Sequence, residues 1–224
     1  MRLVGDLFAY VWSGRDNNCN SYVLAGALRG NRHVVIDPGH LMTPALGEEA
    51  LERLRGGMEA DGIDPDAVGL VLLTHCHPDH SEAAEEFRER SGALVALHEA
   101  ESEIYSHFGG TLDLFLGEGD LDLGGDSPLH LEVFHSPGHS PGHTTIYWPE
   151  ERVLFAGDLI FYRSTGRVDL PGGNPRALKE SIERLSRLDI EYVLCGHAYG
   201  HSGVIEGAEE VRANFDFLSH HLVF

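Results

Sequence analysis

The stretch Val68-Gly69-Leu70-Val71-Leu72-Leu73-Thr74-His75-Cys76-His77-Pro78-Asp79-His80 decides how the rest of the chain is read. Val68 to Thr74 is a continuous apolar run of strand length, as expected for a strand buried on both faces, and it delivers His75 at its C-terminal end. Alternation sends His75 and His77 toward one point. Pro78 suits a first helical turn, and the turn into that helix lets Asp79 and His80 face a second point. Three imidazoles and a carboxylate are ligands that suit Zn²⁺, Fe²⁺ or Mn²⁺.

This cluster alone cannot saturate two cations, because each takes about four ligands with a position left for water. The pattern of an apolar strand ending in a ligand-type residue recurs further on. Ser136-Pro137-Gly138-His139 follows the alternating run Leu129–Phe134, Asp158 follows Val153–Gly157, and His197 follows Tyr192–Gly196. The residues therefore read as a two-metal centre. His75, His77 and His139 serve the first cation, Asp79, His80 and His197 the second, and Asp158 bridges. Two cations about 3.5–4 Å apart repel strongly, and a carboxylate with a hydroxide between them offsets this. In the repeat Ser136-Pro137-Gly138-His139-Ser140-Pro141-Gly142-His143, His139 is the expected ligand and His143 is expected to hydrogen-bond behind the site. Cys76 and Cys195 are expected to face the interior as small apolar residues. His40, after Asp37-Pro38-Gly39, is expected to be a surface-loop histidine, with a place lining the cleft as the alternative.

Outward from these motifs, Leu7–Trp12, Ser21–Ala25 and His33–Asp37 read as strands between Gly/Asn-rich turns. The spacing of Leu46, Ala50, Leu51, Leu54 and Met58 predicts a helix over Pro44–Asp61. A helix is expected from Pro78 to about Arg90, then strands at Leu94–Leu97 and His143–Trp148. Asn174-Pro175 caps a helix to about Arg187, and a final helix is expected over Ile205–His220. Gly117–Gly125 and Gly172-Gly173 read as loops.

The chain has 224 residues, 36 acidic against 16 basic, for a formal net charge of −20. Such a field repels phosphate backbones, so no nucleic-acid partner is expected. No apolar stretch approaches the roughly 18 residues of a membrane span, and no membrane partner is expected. Three cysteines do not make a secreted disulfide framework. The first residues do not read as a signal peptide. The expected location is cytoplasmic.

The four motifs Thr74–His80, Ser136–His139, Phe155–Asp158 and Cys195–His197, in this order, resemble the metallo-β-lactamase superfamily. The similarity is greatest to its glyoxalase II (hydroxyacylglutathione hydrolase)-like branch. The resemblance implies an α/β fold, the four-layer αββα sandwich, as a single domain over residues 1–224, with a dinuclear site at one edge holding the ligands named above. It implies a thioester hydrolase in which a metal-bridging hydroxide attacks the acyl carbonyl, with Asp79 as the catalytic group that orients it or carries its proton. Two divalent ions are implied, zinc first, with iron or manganese as the alternatives. The partner is a small-molecule acyl substrate, and a homodimer is left open.

The same resemblance shows departures. Glyoxalase II proper has a C-terminal helical domain whose basic residues hold glutathione, whereas this chain ends 27 residues after His197. Arg167 stands where the family has a glutathione-contacting lysine, and Tyr199 matches a tyrosine after the last histidine. These two are the candidate substrate contacts, Arg167 in competition with a loop ion pair to Asp169. The usual glycine pair after the first motif is replaced by Glu82-Ala83. Mononuclear-iron persulfide dioxygenases use a subset of these ligands (His75, His139, Asp158) and are the main alternative, although His143 stands where that family usually has cysteine. A lactone hydrolase of the same fold is the other, with Phe161 where it would place a tyrosine. β-Lactamases of the fold usually carry Cys or Ser where Asp158 stands.

Overall fold

A computed structural model describes residues 1–124 and 128–221. In the first half, apolar runs form β1 (Leu7–Tyr10), β2 (Ser21–Leu28) and β3 (Arg32–Ile36). Next come α1 (Ala50–Ala60), β4 (Val68–Leu72), α2 (Pro78–Ser81) and α3 (Ala84–Ser91). Then follow β5 (Leu94–Leu97), α4 (Ser102–His107) and β6 (Leu114–Phe115). The second half supplies β7 (Gly119–Leu123), β8 (Leu129–His135), β9 (Thr144–Trp148) and β10 (Val153–Gly157). It continues with α5 (Pro175–Leu185), β11 (Tyr192–Cys195), β12 (Val204–Glu206) and α6 (Ala208–His221).

The strands build two mixed six-stranded sheets, ordered β1-β2-β3-β4-β5-β6 and β12-β11-β10-β9-β8-β7. β3, β4 and β5 run parallel, with α1 in one crossover and α2 and α3 in the other; β10 and β11 are parallel across α5. Alternation assigns the layers. Val34, Ile36, Leu70 and Leu72 meet Leu131, Val133, Ile146 and Phe155 between the sheets. Their neighbours Val35 and Val71 point the other way, onto Leu54 and Met58 of α1 and Phe87 of α3. On the far side, Leu154 and Val193 pack against Leu178, Ile182 and Leu185 of α5 and Val211, Phe215 and Leu218 of α6. The result is an αββα sandwich. β4 is buried along its whole length because both of its faces are covered.

Several boundaries differ from the sequence reading: the helix expected from Pro78 to about Arg90 is broken at Glu82-Ala83 into α2 and α3, β1 stops at Tyr10, and β2 runs on to Leu28. The Asp16 carboxylate accepts hydrogen bonds of 2.7 Å from both Ala45 and Leu46 N–H, which ties Pro44–Leu46 into a turn. α1 therefore starts at Ala50, and Leu46 is 52 % exposed rather than inward. Gly119–Leu123, expected as loop, pairs with β8 and buries Leu123, its period of two hidden by Gly and Asp. Gly125 lies outside the described residues. Val204 and Ile205 pair antiparallel with β11, so the last helix begins after Gly207. Among the described residues no helix is long and apolar enough to cross a membrane.

Candidate metal centre

The four motif-bearing strands, β4, β8, β10 and β11, open toward one edge of the sandwich, and backbone hydrogen bonds sew their ends together. Thr144 N–H donates to Thr74 O (2.8 Å), Gly196 N–H to Gly157 O (2.7 Å) and Asn20 N–H to Gly196 O (2.7 Å). Rigid strand ends thus hold the loops that carry His75, His77, Asp79, His80, His139, Asp158 and His197.

Three sets of side chains converge with their ligand-type atoms within 4.8 Å of one another: His75, His77 and His139; His75, His80 and Asp158; and Asp79, His80 and His197. Asp158 lies between the groups. Its Oδ1 is 3.1 Å from His80 Nε2, and its Oδ2 is 3.4 Å from His197 Nε2 and 3.6 Å from His139 Nε2. Asp79 Oδ2 stands 3.3 Å from His197 Nε2. All seven residues expected at the centre are therefore gathered in one place.

Hydrogen bonds on the outer side of the rings determine which nitrogen carries the proton. Thr74 Oγ1 donates to Asp37 Oδ2 (2.7 Å), so His75 Nδ1–H must donate to Thr74 Oγ1 (3.0 Å). His80 Nδ1–H donates to Asp37 Oδ2 (2.9 Å), His139 Nδ1–H to Arg167 O (2.8 Å) and His197 Nδ1–H to Asn18 O (3.1 Å). In each ring Nε2 faces the centre, the arrangement metal-ligating imidazoles use. These inward nitrogens crowd one another: His80 Nε2 is 3.3 Å from His197 Nε2, and His139 Nε2 is 2.9 Å from His77 Nδ1. His75 Nε2 and Asp158 Oδ1 are buried without a hydrogen-bond partner. A cation in each group would satisfy all of these atoms, so the donor set fits two divalent metals.

Space is reserved as well. A Cβ on Gly196 would stand 2.2 Å from Asp158 Oδ1 and 2.8 Å from His80 Cε1, so only glycine lets β11 pass this close. The electrostatics agree. Burial, followed by the neighbouring imidazoles, holds His75 well below the usual histidine range. Burial opposes charge on His197, yet Asp158 and then Asp79 push its pKa up to about 9. Buried carboxylates at this edge thus favour positive charge.

The remaining candidates are placed as follows. His143 is fully buried, and its Nε2 accepts from Asp158 N–H (3.2 Å), behind the site as expected. Cys76 and Cys195 are buried in the core clusters beside the ligands. His40 is not a surface residue: it is buried, with Nδ1 2.6 Å from the Glu82 carboxylate that replaces the usual glycine. Arg167 pairs with Asp169 through two hydrogen bonds (2.9 and 2.8 Å), both side chains being 67 % exposed. Tyr199 is exposed and stacks on the His197 ring at 5.0 Å. Sequence reasoning missed Asp37, Asn17, Asn18 and Glu101. Asp37 carried a usable signal, since it too is a polar residue ending an apolar strand. Asn17 Nδ2 donates to Asp79 Oδ2 at 2.7 Å.

Comparison with known proteins agrees with this geometry. Residues 14–197 match the family model of the metallo-β-lactamase superfamily. The probable metallo-hydrolase YqgX of Bacillus subtilis is 32% identical over 189 residues, 77% of this chain and 86% of that protein. A hydroxyacylglutathione hydrolase of Cereibacter sphaeroides is 38% identical over 136 residues, which is 60% of this chain but only half of that enzyme. The crystal structure of TTHA1623 in a di-iron-bound form superposes with a TM-score of 0.65 at 33% identity, covering 85% of this chain and 91% of that one. With its sandwich, its strand-end ligand cluster and this match, the chain belongs to the metallo-β-lactamase superfamily.

Proposed function

We propose that the protein is a dinuclear metal hydrolase of thioesters, acting on hydroxyacylglutathione-like substrates. The observation that carries this reading is the position of Asp158, whose carboxylate reaches histidines of both groups. His75, His77 and His139 would hold one ion and Asp79, His80 and His197 the other, with zinc, iron or manganese all compatible with the donors. Bound there, the pair of cations would polarise an acyl carbonyl and bring the pKa of water toward 7.

The chain's own residues do the rest. Asp37, Arg167 O and Asn18 O keep the imidazoles in one tautomer and one orientation. Asp79, whose Oδ2 both accepts from Asn17 Nδ2 and faces His197 Nε2, is the group that orients the attacking water and takes its proton. The stacked Tyr199 offers an aromatic face beside His197, and Arg167 offers a guanidinium once it leaves Asp169. The thioester reading is supported by the hydroxyacylglutathione hydrolase match, which spans half of that enzyme.

The test is elemental analysis of the purified protein together with a panel of S-D-lactoylglutathione, a simple thioester, a lactone and glutathione persulfide. The reading expects two metals per chain and turnover of the thioesters. One iron per chain with oxygen uptake on the persulfide would replace it with the dioxygenase reading.

A further inference from the structure

Glu101 ends the short 3₁₀ turn Glu99–Glu101 that follows β5, and its side chain is completely buried. No cation lies within ion-pair distance of it among the described residues, so its burial is not offset by an opposite charge. Its two oxygens instead bind two different loops. Oε2 accepts from Cys76 N–H (3.1 Å), between His75 and His77, and Oε1 accepts from Gly142 N–H (2.6 Å), between His139 and His143. The second loop is held from its other side too. His135 stacks on His98 at 4.3 Å and donates from Nε2 to Pro141 O at 2.9 Å. The contact at Gly142 leaves no room for a side chain, since a Cβ there would lie 2.7 Å from Glu101 Cγ.

We propose that Glu101 is a positioning residue for the metal centre, its carboxylate setting the spacing between the loop that carries His77 and the loop that carries His139. Those two side chains come from different sheets, and their facing nitrogens are 2.9 Å apart. An apolar side chain would fill the same volume at lower cost of burial, but it could not hold two N–H groups of separate loops at a fixed distance. The inference rests on the two-metal reading of the site and concerns the His75/His77/His139 group specifically.

The test titrates metal-free protein with Co²⁺ alone, following visible absorption, and measures Tm and far-UV CD in parallel. Glu101→Gln has one acceptor oxygen and turns an amide N–H toward a backbone N–H. It is expected to fold and to lose about tenfold or more in affinity for one Co²⁺ equivalent while the other is unchanged. Its kcat falls while KM does not move. Gly142→Ala, which displaces the same loop without altering the carboxylate, is expected to reproduce the selective loss. Unchanged Co²⁺ affinities in either folded variant, or equal loss of both equivalents together with a lowered Tm, would overturn the proposal. A wild-type protein that takes up no Co²⁺ would overturn the two-metal reading along with it.

Discussion

The carboxylate of Asp37 is bound twice by Thr74, through the backbone N–H at 2.8 Å and the hydroxyl at 2.7 Å. Because Asp37 closes β3 and Thr74 follows β4, this contact locks two parallel strand ends. It also fixes His75 through the Thr74 hydroxyl and His80 directly. Asp37→Ala leaves these donors unpaired in a buried place. It should weaken metal binding about 10- to 100-fold and lower stability by about 3 kcal/mol. Chelator competition reads the first effect and urea denaturation of the metal-free protein reads the second.

Asp158→Ala removes the group shared by both sets of ligands. Metal content should fall from two equivalents to one or fewer, and hydrolysis of S-D-lactoylglutathione or a generic thioester should be abolished. Full retained activity would sink the bridging assignment.

Gly196→Ala puts a methyl group where Asp158 Oδ1 and His80 Cε1 now stand. The expected outcome is loss of at least one metal equivalent, by elemental analysis, in a protein whose core and CD spectrum are preserved. Normal metal content would mean that β11 can shift outward at little cost.

Arg167 and Asp169 neutralise each other at the surface. Asp169→Ala frees the guanidinium, so KM for a thioester bearing a carboxylate should fall with kcat unchanged, and Arg167→Ala should raise it. If neither variant shifts KM, Arg167 lies outside the substrate's path.

Acid should loosen the turn that precedes α1. Burial pushes the Asp16 carboxyl up, but hydrogen bonds from Leu46 N–H, the Thr43 hydroxyl and Asn17 and Ala45 N–H outweigh it and hold the pKa at about 2. A carboxylate whose pKa is lowered on folding stabilises the fold above its ordinary value, 3.8, and loses that contribution as pH falls toward 2. In metal-free protein, the Tm gap between wild type and Asp16→Asn should be widest near about pH 6 and should close between about pH 4 and 2.

The centre was legible in the sequence where chemistry and strand period coincide. His75, Asp158 and His197 each follow an apolar run, and those runs end at one edge of the sandwich. The hydrogen bonds that orient the rings were not legible, because their partners are remote in the chain and chemically ordinary. Glu101 has Glu99 and Glu103 for neighbours, and nothing in that run marks which glutamate turns inward. Leu46 continued the apolar stripe of α1 by coincidence, and a carboxylate thirty residues upstream decided that it belongs to a turn. His40 read as a loop histidine because its partner, Glu82, lies in another segment.

The hydrogen bond from His197 to Asn18 joins residues 179 positions apart. Closing so long a segment carries a large entropic cost, and parallel pairing of β4 with β3 and β5 and of β10 with β11 adds further non-local contacts. Neither half of the chain can form the second ligand group by itself: Asp79 and His80 come from one sheet and His197 from the other. During synthesis that group cannot exist until β11 has emerged and docked. Docking of the two sheets therefore precedes completion of the ligand cluster, and a chain that stops short of His197 lacks one of its three groups.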